Sequence, residues 1–127
     1  MDPIARARLN ASLRDLLSEL LARRVRDPRV EPVTLTGVEV SRDLAVAKVF
    51  YSVLGGEEVQ RTAQRGLESV AGFLRGEVGR RLRLRTIPQL RFLFDASLER
   101  GQRIEQLLRE LQDDAAPNPD RGGSEDV

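Results

Sequence analysis

Two strand-like stretches joined by three residues constrain this chain more than any other feature. VTLTGVEV (33–40) and LAVAKVFYSV (44–53) are rich in β-branched and aromatic residues, and only Ser41-Arg42-Asp43 lies between them. So short a link cannot cross over a sheet, so the two strands are expected to be antiparallel neighbours. Val33 and Leu35 share one face of the first strand. The apolar phase then slips at Gly37 and resumes with Val38 and Val40, which predicts a β-bulge at the glycine.

On either side the apolar spacing changes from two residues to three and four. Leu13, Leu16, Leu17, Leu20 and Leu21 make one face of a helix over 3–25, with Asp2-Pro3 as its start and Asp27-Pro28 as its stop. After Gly55-Gly56, Val59, Ala63, Leu67 and Val70 predict another helical face, and the pattern resumes beyond a break near Gly72 until Thr86-Ile87-Pro88. QLRFLFD (89–95) predicts a third strand, with Leu90, Phe92 and Phe94 on one side. A last helix is predicted over 98–111, capped by Ser97, with Leu98, Ile104, Leu107, Leu108 and Leu111 facing inward. Three strands with helices on one face make a two-layer α+β fold of order α-β-β-α-α-β with a C-terminal helix. Its other sheet face is expected to be partly solvated, with Thr36, Lys48, Ser52 and Arg91 as candidates. The domain is assigned to residues 1–111. Residues 112–127 are expected to be a disordered acidic tail, having no core-forming residues.

Composition narrows the chemistry. The chain has no histidine and no cysteine, which removes the commonest general base, the commonest metal ligands and any disulfide. No enzyme, catalytic residue, metal or cofactor is therefore expected. No apolar run approaches the roughly 20 residues of a membrane helix. The start MDPIARARLN has no apolar region after its charges, so it does not resemble a signal peptide. A cytoplasmic monomer is expected. The net charge of +1 hides an asymmetry: residues 112–127 carry five acids against Arg121, and between Gly72 and Arg91 there are six arginines and one glutamate. A basic body with an acidic tail suggests a polyanionic partner.

The stretch VAGFLRGEVGRRLRLR (70–85) concentrates that charge. At about 100° per residue, with Leu74 as zero, Val70, Val78 and Leu82 form the buried stripe. Gly72, Gly76 and Gly79 fall on the opposite face with Arg83, flanked by Arg75 and Arg80. Each glycine costs about 1 kcal/mol relative to alanine within a helix. Bare backbone beside guanidinium groups suits close approach by phosphates and sugars. A break at Gly72 would add a helix N-terminus as an anion site. The bland reading is a glycine-tolerant surface helix with solvated arginines. Arg81 projects near the apolar stripe and is read as a structural ion-pair partner. The RNP pattern of stacking aromatics is absent, so recognition of RNA backbone and shape is favoured over base stacking. The candidate RNA-binding residues are Arg75, Arg80, Arg83, Arg85, Gly72, Gly76 and Gly79. Arg42 and Lys48 are candidates on the strand side, against a bland reading of Ser41–Asp43 as a turn whose Asp satisfies backbone N–H groups.

RDPRV (26–30), GVEVSRDLAVAKVFYSVLG (37–55), FLRGEVGRRLRLRTIPQLRFLFD (73–95) and SLERGQRIEQLL (97–108) resemble the ribosome-binding factor A family. The resemblance runs from about Arg6 to Leu111. It implies a type II K-homology-like domain, in which an Ala-x-Gly break between two helices replaces the usual Gly-x-x-Gly loop. Val70-Ala71-Gly72 is the aligned triplet, with Val70 where the family has Ala. The resemblance further implies an assembly factor that binds the free small ribosomal subunit and assists late folding and end processing of its ribosomal RNA. Growth in the cold and release by an assembly GTPase are implied with it. The rival reading is a protein-binding adaptor that uses the open sheet face or the last helix, for which binding would depend weakly on salt. A nuclease is a third reading, which metal-dependent cleavage by the pure protein would support.

Overall fold

A computed structural model describes residues 2–115; of the tail expected to be disordered, 112–127, residues 116–127 lie outside them, and 112–115 are helical. In chain order the elements are α1 (Pro3–Arg23), a 3-10 turn (Pro28–Val30), β1 (Val33–Val40), β2 (Val46–Val53), α2 (Glu57–Leu82), β3 (Gln89–Phe94) and α3 (Ser97–Ala115). The chain divides after Asp95 into two compact units, so α3 is described by itself.

In the first unit α1 begins as its sequence predicts. Asp2 Oδ1 accepts the N–H of Ala5 at 2.9 Å, and Pro3 occupies the first helical position, where its missing N–H costs nothing. Its leucine face supplies Leu13, Leu17 and Leu20 to the core, all fully buried. Asp27 then caps the 3-10 turn by accepting from the N–H of Arg29 at 3.0 Å. Arg29 also grips the same carboxylate with its side chain at 2.7 Å. That guanidinium is the main cause holding the Asp27 carboxyl below its usual value of 3.8.

The sheet has the order β1-β2-β3, with β1 and β2 antiparallel and β2 and β3 parallel. The predicted bulge is present: the register slips between Leu35 and Gly37. β2 begins at Val46 rather than 44, because Leu44 turns the chain with a positive φ of 62°. Asp43 Oδ1 accepts the N–H of Ala45 at 3.0 Å and the hydroxyl of Ser41 at 2.8 Å, so the bland reading of this turn describes it. These bonds, the Ser41 hydroxyl first, hold the Asp43 carboxyl below its usual value. Alternation along the strands puts Ala47, Val49 and Tyr51 under the helices, while Thr36, Lys48 and Arg91 are exposed on the far face and Ser52 is half-buried there.

α2 is one uninterrupted helix of 26 residues, so the two segments expected either side of Gly72 are a single element. A glycine permits a break without imposing one. Here Ala63, Leu67, Leu74 and Val78 bury a continuous face that outweighs the about 1 kcal/mol that Gly72 costs. No additional helix N-terminus arises there. Tyr51 joins three elements: its hydroxyl donates to Gln64 Oε1, and Gln64 Nε2 donates to the Phe92 carbonyl at 3.0 Å. Burial raises the Tyr51 phenol above its usual value, with the nearby Glu68 carboxylate adding to it.

In the second unit α3 runs to Ala115, past the expected end at 111, since no helix breaker precedes Pro117. Ile104, Leu107, Leu108 and Leu111 are exposed rather than inward. Helical spacing specifies that a face is apolar, not what covers it. The side chain of Leu98 lies outside the described residues.

Candidate nucleic-acid interface

The candidate residues on α2 divide into two sides. One side belongs to the fold. The Arg75 guanidinium donates to the carbonyl oxygens of Ile87 at 2.9 Å and Pro88 at 3.0 Å, clasping the chain that returns from α2 to β3. Gly79 lies against the same segment: a Cβ there would collide with the Ile87 side chain. The expected open backbone at Gly79 is therefore corrected. The glycine makes room for Ile87, and the long-range return of the chain fills the space that the helical wheel showed as empty.

The other side is open. Gly72 and Gly76 have nothing within 4 Å of where a Cβ would be. Arg80 is on this side and is held by Glu77, a carboxylate only 5% exposed. Glu77 also takes Nε of Arg81 at 3.2 Å and has the Arg24 guanidinium, just past the end of α1, at 4.0 Å. Arg81 is the structural ion-pair partner its position predicted. One buried acid thus gathers three guanidinium groups from two separate parts of the chain.

Arg83 and Arg85 follow in the connection to β3. Arg83 ends α2 in the left-handed conformation, φ 51° and ψ 44°, where glycine is usual. Both are exposed, and among the described residues neither has a side-chain partner. The β3 pairing fixes their surroundings. Gln89 pairs with Val46 and donates its N–H to the Ala45 carbonyl at 2.9 Å. The α2–β3 connection and the Ser41–Ala45 turn therefore occupy the same end of the sheet, which brings Arg42 to the end where Arg83 and Arg85 lie. Lys48 is elsewhere. It is exposed on the sheet face away from α2, in register between Glu39 and Arg91.

Sequence reasoning missed Phe73 and Arg24. Phe73 is 41% exposed, and the Arg24 guanidinium lies 5.8 Å from its ring centroid. The wheel carries part of the signal, since Phe73 is about 100° from Leu74 and outside the buried stripe; Arg24 comes from a different part of the chain. Among the described residues no group of three acidic, histidine or cysteine side chains is placed to hold a metal, and no helix is long and apolar enough to cross a membrane.

Comparison with known proteins gives the family and the fold. The family profile described as ribosome-binding factor A matches residues 5–108. Ribosome-binding factor A of Thioalkalivibrio sulfidiphilus is 50% identical over 105 residues, covering 82% of this chain and 81% of the relative. That of Anaeromyxobacter dehalogenans is 50% identical over 117 residues, covering 90% and 84%. The crystal structure of ribosome-binding factor A from Thermus thermophilus superimposes with a TM-score of 0.63 at 32% identity, covering 70% of this chain and 93% of that one. Coordinates of the Thermus thermophilus factor fitted into the cryo-EM map of a 30S complex align with a TM-score of 0.57 at 31% identity, covering 68% and 91%. The α+β fold is thus the K-homology-like fold of these structures.

Proposed function

The chain belongs to the ribosome-binding factor A family, and from that premise we propose that it is a non-enzymatic factor that binds the free small ribosomal subunit through ribosomal RNA. It assists late maturation and end processing of that RNA in the cytoplasm. Growth in the cold and release by an assembly GTPase belong to the same reading. The observation that carries it is the group of exposed guanidiniums at one end of the fold, Arg83, Arg85 and Arg42, which have no side-chain partner among the described residues. Beside them α2 presents Arg80 with bare backbone at Gly72 and Gly76. Guanidinium forks match phosphate oxygens, and two open glycines on one side of a helix let a backbone approach closely. In this reading Arg75 and Gly79 shape the interface by fixing the α2–β3 connection, and Lys48 contributes from the other sheet face. Binding alone can shift RNA folding only by a difference in affinity between two RNA arrangements. The factor therefore binds the immature arrangement well and the mature, subunit-joined one poorly.

Co-sedimentation tests this. Wild type should pellet with free small subunits, and not with large subunits or joined ribosomes. An Arg80→Glu/Arg83→Glu variant should lose binding by roughly tenfold or more, as removal of several phosphate contacts does. Pelleting with every particle alike, or with none, would reject the proposal. The exposed apolar stripe of α3 favours the adaptor as a second reading. An affinity that barely changes with salt would select it, because phosphate contacts release counterions and steepen the salt dependence.

A further inference from the structure

We infer that the cleft between the end of α1 and the middle of α2 is a subsite for one unpaired RNA base, stacked on Phe73. This rests on the RNA-binding reading above and adds to it a kind of contact that backbone recognition does not need.

The cleft has a volume of about 280 Å³ and is lined by Arg24, Arg26, Asp27, Ser69 and Phe73 among others. That is just below the roughly 300–1,000 Å³ of sites for drug-sized ligands, which fits a single base rather than a peptide segment. Its polar groups sort by what already occupies them. Asp27 is taken by Arg29, through both carboxylate oxygens. Ser69 accepts from the same guanidinium at 3.0 Å and donates to the Gly66 carbonyl. Neither is left to select a partner. Arg26 is exposed and has no side-chain partner among the described residues. Arg24 lies over Phe73 at 5.8 Å, within the roughly 6 Å of a cation–π contact, and Glu77 steadies it from below.

A partly exposed aromatic ring with a guanidinium over it and a second, free guanidinium at the rim is a base-and-phosphate arrangement. The ring offers a stacking surface to any base, Arg24 completes the stack, and Arg26 meets the phosphate. Bound there, the nucleotide's backbone would continue along the open side of α2, past Gly72 and Gly76 towards Arg80. A protein anchor fits less well. Val25 and Val70 beside the ring are half-buried, so no broad apolar rim surrounds it.

The chain contains no tryptophan, so full-length Phe73→Trp carries a single fluorescent reporter at the site. Titrated with hexaadenylate, its emission should be strongly quenched, as stacked bases quench indole. Phe73→Leu keeps every arginine. It should weaken hexaadenylate binding roughly tenfold, within the range stacking on one aromatic supplies, and leave the salt slope unchanged. Circular dichroism and melting check that both variants are folded. Hexaadenylate that fails to quench the indole reporter, or binds the leucine variant as tightly as wild type, would overturn the subsite. So would quenching by ribosomal proteins and not by hexaadenylate. In each of those cases intact co-sedimentation with small subunits leaves the broader reading standing. Loss of co-sedimentation by the wild type instead removes the reading on which the subsite rests.

Discussion

Arg80 is ion-paired to Glu77 one turn before it on α2, and the acid is buried while the arginine is not. The pair therefore has one fixed end and one end in solvent. Its free end belongs to the surface proposed to meet RNA, and its fixed end also steadies Arg24 and Arg81. Glu77→Gln removes the negative charge while keeping the shape. Arg80, Arg81 and Arg24 then lose their common anchor but remain solvated. Stability should fall by about 1–3 kcal/mol, as for loss of charged hydrogen bonds, measured by urea unfolding. Non-specific RNA affinity at low salt should rise a few-fold, measured by filter binding, because one acid no longer offsets the arginines.

Gly76 and Gly79 are three residues apart on one helix and should respond oppositely to alanine. Gly76 is open, so Gly76→Ala should stabilise the fold by about 1 kcal/mol through helix propensity. If RNA approaches the backbone there, the same change lowers affinity for small subunits. Gly79→Ala makes the same helix gain but drives a methyl group into the end of the Ile87 side chain, an overpacking cost of about 1–3 kcal/mol, so it should leave a net loss of up to about 2 kcal/mol. Melting temperatures of the two variants, measured together, decide the matter; equal shifts would contradict the packing of Ile87 on α2.

Arg83 holds a left-handed conformation that an L side chain adopts at a cost. Arg83→Gly relieves it and should raise stability by up to about 1 kcal/mol, less the extra freedom glycine has when unfolded. The same variant should bind small subunits more weakly and lower the slope of log affinity against log salt by a little under one. A gain in stability with no loss of binding would remove Arg83 from the interface.

The Asp27 carboxyl titrates lower in the folded chain than its usual value of 3.8, chiefly through its bond to the Arg29 side chain. A depressed carboxyl contributes stability above the unfolded value and loses it as pH falls through the folded one. Asp27→Asn should therefore be less stable than wild type at neutral pH, and the two should converge below about pH 4. Melting curves over that range check the sign; a difference that persists at low pH would mean packing, not charge, is responsible.

Much of the fold was legible because its signals are local. The spacing of Leu13, Leu17 and Leu20, the short Ser41–Asp43 link and the slip at Gly37 each concern neighbouring residues, and each matches an observed element. The errors arose where distant chain decides. The wheel left Gly79 bare because it cannot show Ile87 returning over it. Gly72 suggested a break that the burial of Leu67 and Leu74 on either side overrides. The leucines of α3 showed an apolar face without showing a cover for it. In the candidate site Arg80, Gly72 and Gly76 were found from spacing. Phe73 and Arg24 required knowing that two helices approach each other.

The mixed sheet has a consequence for how the chain is made. Ala47 pairs with Val40 across the hairpin, but its parallel partner is Leu90, far along the sequence beyond α2. Synthesis proceeds from the N-terminus, so α1 and the hairpin emerge while β3 is still untranslated. During that interval β2 has one edge paired and the other bare, with Ala47, Val49 and Tyr51 awaiting the helix that will cover them. An uncovered strand edge is a template for pairing with other chains. The last strand is thus what closes the window for misassembly, and a chain stopped before Gln89 is the form most exposed to aggregation.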